Sequence, residues 1–259
     1  MRDPGLIGEA AVHRRDAAEI PTFHVMHVPG ADPERDRIVA SLPDLHPRGA
    51  DGICVHADPD RRGILATWLQ ALMHAQAEPS PTETGWEMVI QDDAIPVQGF
   101  EEHLPRALRH SPSPVLSLCH FGDAGQKIAN TGHAYLRGTH TIWGQAVAYH
   151  RTVLSDLIHL GHDVQHLQSP VYSKWDDRIP GVLNLIKGEG TTAVTARALF
   201  DHPHLKSTVG HLGKVHRHPN LTIADPGPDW SAGFKETKAK PHGIMYELAS
   251  IIAGREIER

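Results

Sequence analysis

Trp86-Glu-Met-Val-Ile-Gln-Asp-Asp-Ala-Ile-Pro-Val-Gln-Gly-Phe100 is a short apolar run that stops at two adjacent carboxylates, Asp92 and Asp93. A run of this length and composition reads as a buried strand, and in open α/β sheets ligands bind beyond the carboxyl ends of the strands. Paired hard oxygen ligands at such a tip suit Mg²⁺ or Mn²⁺ carrying a phosphorylated substrate. The same residues also read as an Asp-Asp turn capping the segment before Pro96. Both readings stay open on this stretch alone.

Outward from it, β and α patterns alternate. Thr22 to Val28 is apolar and partly alternating and stops at Pro29-Gly30, a strand followed by a turn. Asp32-Pro33 opens a helix running to Leu42, with proline at the first helical position. Gly52 to Ala57 is a second strand, and Asp58 to Gly63 is the loop at its end. From Ile64 to Ala77, Leu65, Trp68, Leu69, Leu72 and Met73 recur at helical spacing. After Trp86 to Gln91, a helix is expected over Phe100 to Arg109 and a strand over Val115 to Phe121. Thr141 to Tyr149 reads as a strand interrupted by Gly144, a sign of a bulge or a close approach. A helix over Arg151 to Leu160, an acidic turn and helix from Trp175, a strand over Thr192 to Phe200 and a last helix over Gly243 to Ala253 complete the pattern. Asp225 to Lys240 is expected to be irregular, and Gly122 to Thr139 shows no pattern. The order predicts an α/β fold, one Rossmann-like domain with a mostly parallel central sheet flanked by helices.

Composition narrows the classes. The chain has 259 residues and 40% hydrophobic content, enough for one large domain with a real core. No apolar run approaches the length of about 18 to 20 residues that crosses a bilayer, and the start lacks the layout of a secretory signal, so a cytoplasmic protein without a membrane partner is expected. Cys54 and Cys119 lack a C-x-x-C arrangement and read as buried thiols. The formal charge of −6 argues against bulk nucleic-acid affinity, although local basic clusters leave room for a positive face. The 21 histidines are too scattered in sequence to suggest a single metal site, and most are expected to face solvent or make ordinary hydrogen bonds.

Polar groups stand at or just after the ends of predicted strands: Asp58 to Arg62, Asp92 with Asp93, Asp176 with Asp177, and His202. One sheet edge would gather them all. Asp92, Asp93 and His202 offer carboxylate and imidazole ligands compatible with Mn²⁺, although His202 before Pro203 also reads as a turn residue. One carboxylate of Asp176 and Asp177, with Asp177 preferred, would act as a general base toward an acceptor hydroxyl. The alternative for that pair is an acidic helix start favoured by the helix dipole. Arg61 and Arg62 could grip a diphosphate by bidentate hydrogen bonds, against the default of solvated loop charges. The phosphate loop G-x-x-x-x-G-K-[ST], the dinucleotide G-x-G-x-x-G after the first strand and the nucleophile elbow G-x-S-x-G are all absent.

Arg61 to Ala77, the stretch Trp86 to Phe100, Trp143-Gly-Gln-Ala-Val-Ala-Tyr149, Trp175-Asp-Asp-Arg178 and Leu199-Phe-Asp-His-Pro-His-Leu-Lys-Ser207 follow one another in an order that resembles small GT-A-type glycosyltransferases, in particular those encoded by actinobacterial phages. The likeness covers about residues 20 to 218, on the logic of an ordered motif series. It implies an N-terminal extension over 1–19, a GT-A-like catalytic domain over 20–218, and an irregular segment with a terminal helix over 219–259. The motif reads Gln-Asp-Asp where the family has Asp-x-Asp. By the resemblance Asp93 corresponds to the metal-binding aspartate, His202 to the late metal-binding histidine, and Asp92, with Gln91 beside it, to the donor-binding side. Asp176 or Asp177 would face the acceptor.

The activity so implied is hexosyl or pentosyl transfer, dependent on Mn²⁺ or Mg²⁺, from a nucleotide-sugar donor to a hydroxyl. The acceptor would be a hydroxymethylpyrimidine in phage DNA, with Arg14, Arg15, Lys206, Lys214, Arg217, Lys235, Lys238 and Lys240 flanking a groove, or else a protein or glycan. Competing classes are a non-catalytic nucleotide-binding module and a nucleotidyltransferase or phosphohydrolase, which also place carboxylates at a parallel-sheet edge.

Overall fold

Trp86–Gln91 forms a strand buried on both faces, β3, inside an eight-stranded sheet. The computed structural model describes residues 19–80, 82–121, 123–139, 142, 144–168, 176–188, 190–203, 219, 221–223, 228–237, 240–241 and 243–254. Before β3 come β1 (Phe23–His27), α1 (Pro33–Leu45), a 3₁₀ turn (Gly49–Gly52), β2 (Ile53–Ala57) and α2 (Ile64–Ala77). After it come β4 (Ile95–Pro96), α3 (Phe100–Arg109), β5 (Val115–Ser117), α4 (Ala124–Ala129), β6 (Tyr135–Arg137) and β7 (Ala146–His150). A 3₁₀ turn (Arg151–Val153) leads into α5 (Leu154–His166), followed by α6 (Ile179–Lys187), β8 (Thr192–Thr195), β9 (Phe200–Asp201), β10 (Phe234–Glu236) and α7 (Gly243–Ala253).

The sheet order is β10-β6-β8-β5-β7-β3-β1-β2. β1 pairs in parallel with both β2 and β3, and β5 pairs in parallel with β8. β7 is inserted antiparallel between β3 and β5, so the main direction is restored on its far side. The α/β class with a mostly parallel central sheet flanked by helices is therefore the architecture observed.

Strand alternation sorts the core into two layers. Phe23, Val25, Met88, Ile90, Ala146 and Ala148 point to one face and pack with Leu42 of α1 and Leu104 and Leu108 of α3. Met26, Val89, Val147 and Tyr149 point to the other, against Trp68 and Leu72 of α2, Leu157 of α5, Val182 of α6 and Leu248 of α7. Tyr149 carries a hydroxyl into this second layer, and Trp68 Nε1 donates to it at 3.0 Å, which satisfies both polar atoms inside an apolar environment. Asp32 caps α1 by accepting from the Glu34 amide, with Pro33 in the first turn as the sequence predicts.

Several elements differ from expectation. The predicted strand over Thr192 to Phe200 is two strands, because β9 leaves the main sheet and pairs antiparallel with β4 instead. The strand expected from Thr141 starts only at Ala146, since around Gly144 the chain passes close to Asp176 and Gln91. The expected strand over Val115 to Phe121 ends at Ser117, where Leu118 turns to bond Ala146 O and to accept from Leu199. The patternless stretch over Gly122 to Thr139 holds α4 and β6. Part of the supposedly irregular Asp225 to Lys240 is β10, which extends the sheet by pairing with β6. Among the described residues no helix is long and apolar enough to cross a membrane.

Candidate metal and donor site

The chain leaves β3 at Gln91, turns through Asp92-Asp93-Ala94 with the Ala94 amide donating to Gln91 O at 3.0 Å, and enters β4. That turn would leave two carboxylates in a dry place, since Asp93 is 2% exposed and Asp92 4%. Charges so buried must be compensated. Arg35, itself buried on α1, compensates both, its guanidinium reaching Asp92 through one terminal nitrogen and Asp93 through the other. Burial acts to lower the Arg35 pKa, but the two carboxylates outweigh it and hold the group above its ordinary value.

The two aspartates then differ. Asp92 has both oxygens engaged, Oδ1 by Arg35 and Oδ2 by His27 Nδ1 at 3.0 Å and the Val28 amide at 3.2 Å. Asp93 shares Oδ2 between Arg35 and His202, whose Nε2 lies 3.1 Å away, while its Oδ1 has no hydrogen-bond partner among the described residues. His202 is fully buried, and neither ring nitrogen has an aligned hydrogen bond among the described residues. Burial pushes the Asp93 pKa up, but His202 and Arg35 reverse this and hold it below the ordinary carboxylate value.

The β4–β9 ladder makes this meeting possible. Ile95 pairs with Asp201 and Pro96 with Phe200, so the residues just before β4 and just after β9 are brought to the same place. The Asp201 side chain accepts from the His202 amide at 2.7 Å, and Phe121 packs edge-on at 5.7 Å from the imidazole.

Asp176 and Asp177 reach the same edge of the sheet from the turn before α6. Asp176 is hydrogen-bonded to the Gln91 side chain, and a Cβ at Gly144 would stand 3.0 Å from Asp176 Oδ2 and 3.4 Å from Gln91 Nε2. Any larger residue at 144 would make these two side chains give way. Ile142 N donates to Asp177 O at 3.1 Å and Gln91 N to Gln145 O at 2.9 Å, tying the 142–145 segment to both partners. Burial first and the neighbouring Asp177 second push Asp176 well above the ordinary carboxylate value. Burial pushes Asp177 up to about 6, with Arg178 acting in the opposite sense.

Arg62 is engaged within its own loop. It donates from its backbone and Nε to Asp58 Oδ1 at 2.9 and 3.1 Å and from its terminal nitrogen to Gln70 at 3.0 Å, closing the loop into α2. Arg61 is exposed with φ 52° in that loop. Arg35 and His27 are the site residues that sequence reasoning missed, whereas the close approach at Gly144 is the one its place in the strand pattern predicts. Arg35 falls one helical turn from Ile38, both buried, and that spacing is the signal that could have marked it as inward-facing. Trp143 and Trp175 of the matching segments lie outside the described residues, as do Arg14, Arg15, Lys206, Lys214, Arg217 and Lys238.

No family model matches the chain, and no curated protein matches it.

Asp93 and His202 are two donors that a divalent cation could share. An orphaned, buried carboxylate oxygen and a buried imidazole with unaligned nitrogens stand together, and carboxylate plus imidazole is a ligand combination taken by Mn²⁺. Asp93 and His202 would hold it. Asp92, already saturated, would not.

Proposed function

We propose that the chain is a metal-dependent glycosyltransferase of GT-A type, moving a sugar from a nucleotide-sugar donor to a hydroxyl. The observation that carries this reading is the contact of Asp93 with His202 at the tip of β3, beside a second acidic pair whose Asp177 is held near neutral affinity for protons. A bound Mn²⁺ or Mg²⁺ would supply charge for the leaving diphosphate. Asp93 and His202 would hold that cation. Arg35 and His27 fix the two carboxylates, so the site does not reorganise when charge develops. Asp177 accepts the proton of the acceptor hydroxyl as its oxygen bonds to the anomeric carbon. The carbon–oxygen bond to the diphosphate breaks, and its electron pair leaves with the nucleoside diphosphate. A carboxylate with a pKa of about 6 is largely ionised at neutral pH yet basic enough to help.

The test is incubation with a panel of nucleotide sugars and Mn²⁺, following nucleoside diphosphate release and acceptor glycosylation. Failure to bind or hydrolyse any donor would refute the reading. For the acceptor, modified DNA is proposed first. Activity on hydroxymethylpyrimidine DNA should fall steeply with salt, whereas salt-insensitive activity on a protein or glycan would replace it.

A second reading is favoured by Arg35, whose guanidinium already pairs with both aspartates. In that case the chain is a nucleotide-binding module needing no cation. Donor binding that is indifferent to chelator and to Mn²⁺ would select it.

A further inference from the structure

On the face of β1 opposite the one that His27 shares with Phe23 and Val25, His24 meets Cys54, His56 and His74, and the four bring one ligand atom each within 4.8 Å of one another. The expectation that the histidines are too dispersed for a metal site does not hold for these. The register explains the meeting. His24 of β1 stands opposite Cys54 of β2, and a parallel pair puts both on one face; His56, two residues on, shares it. His74 comes down from the last turn of α2, which covers that face. Cys54 is also not the buried thiol expected from sequence, but half-buried.

We propose that these residues form a structural tetrahedral site for a Zn²⁺-class cation, separate from the Asp93 and His202 site and independent of the glycosyltransferase reading. The first argument is distance. Around a tetrahedral zinc with bonds of about 2.05 Å to nitrogen and about 2.3 Å to sulfur, ligand atoms stand about 3.3 Å apart for two nitrogens and about 3.6 Å for nitrogen and sulfur. His24 Nδ1 to His56 Nε2 is 3.1 Å, and Cys54 Sγ to His74 Nδ1 is 3.7 Å. The second argument is the surrounding shell. Metal-bound histidine characteristically gives its other ring nitrogen to a carboxylate, and His24 Nε2 lies 3.6 Å from Glu87 Oε2, a side chain 2% exposed. Glu87 is held in turn by Arg151 at 2.7 Å, which also caps α2 through the carbonyls of Gln76 and Glu78.

Chemistry selects the cation. Three imidazoles and one thiol exclude Mg²⁺ and Ca²⁺, which take oxygen ligands, and four protein ligands in a closed set mark a structural rather than a catalytic centre. Binding converts the Cys54 thiol to thiolate and releases its proton to solvent. The site would staple β2, the outermost strand of its end of the sheet, to β1 and to the end of α2. His24 and His56 are buried while His74 is exposed, so the cation would enter from the His74 side.

The test is titration of the full chain, stripped with chelator, with Co²⁺ as a spectroscopic stand-in. One equivalent should give the intense visible bands of tetrahedral Co²⁺ and a near-ultraviolet thiolate charge-transfer band, both displaced by Zn²⁺. Cys54→Ser should remove the charge-transfer band. His74→Ala, at an exposed position where folding is not at stake, should weaken binding at least about tenfold, and Glu87→Gln about 10- to 100-fold. Asp93→Asn should leave the spectrum unchanged. A weak octahedral spectrum, or one unaltered by Cys54→Ser and His74→Ala, would overturn the proposal.

Discussion

His202 Nε2 lies 3.1 Å from Asp93 Oδ2, although one residue follows a strand late in the chain and the other ends a strand in its first half. The short β4–β9 ladder closes that gap, and the consequences can be measured.

Asp93→Asn should keep the fold, because Arg35 retains Asp92 as a partner, yet lower metal-dependent turnover by at least a hundredfold, about 2.7 kcal/mol of transition-state stabilisation. Steady-state kinetics across a Mn²⁺ series, with circular dichroism as the fold control, would show it. Chelator should suppress wild-type turnover to a similar degree, with Mn²⁺ restoring it.

Arg35→Met should be the most destabilising change at this edge. It leaves two adjacent buried carboxylates without their guanidinium, and breaking a buried ion pair from one side costs about 3–5 kcal/mol. Urea denaturation would report a lower midpoint with little change of slope.

Asp177→Asn should abolish turnover while raising stability above pH 6. The folded pKa of Asp177 is raised to about 6 from an ordinary carboxylate value. Between those values the folded chain binds more protons than the unfolded one, so stability falls as pH rises through this window and stays lower above it. Removing the carboxylate recovers that loss, on the order of 1–3 kcal/mol. Wild-type turnover should rise through the titration of the pair and level off above it. Melting curves and rates between pH 4 and 8 would test both statements.

Gly144→Ala should displace Asp176 or the 142–145 segment, because the added methyl would meet Asp176 Oδ2 at 3.0 Å. Overpacking of this kind costs about 1–3 kcal/mol. The readout beyond stability is a shifted pH profile, since the Asp177 charge helps push Asp176 up and moving Asp176 changes that interaction.

Regular elements with a strong local signal were legible. The helices over Ile64–Ala77, Phe100–Arg109 and Gly243–Ala253 and the strand over Trp86–Gln91 occupy the residues expected of them, the first by its helical spacing and the strand by its apolar run. The stretch holding α4 and β6 was not, because elements of six and three residues are too short to develop a period. Asp92, Asp93, Asp176, Asp177 and His202 could be picked out as acids and an imidazole at strand ends. Arg35 was passed over, because an arginine in a helix is solvated by default and only its spacing from Ile38 and Leu42 marks it as inward-facing.

The sequence by itself determined where chain direction and polarity change, because hydrophobic period and turn chemistry act within a few residues. Tertiary structure alone decided which distant groups meet. Antiparallel pairing of β4 with β9 joined Asp93 to His202, parallel register of β1 with β2 set His24 opposite Cys54, and a missing Cβ at Gly144 let Asp176 reach Gln91. Such meetings are set by strand order and register across the sheet, which no local run of residues encodes.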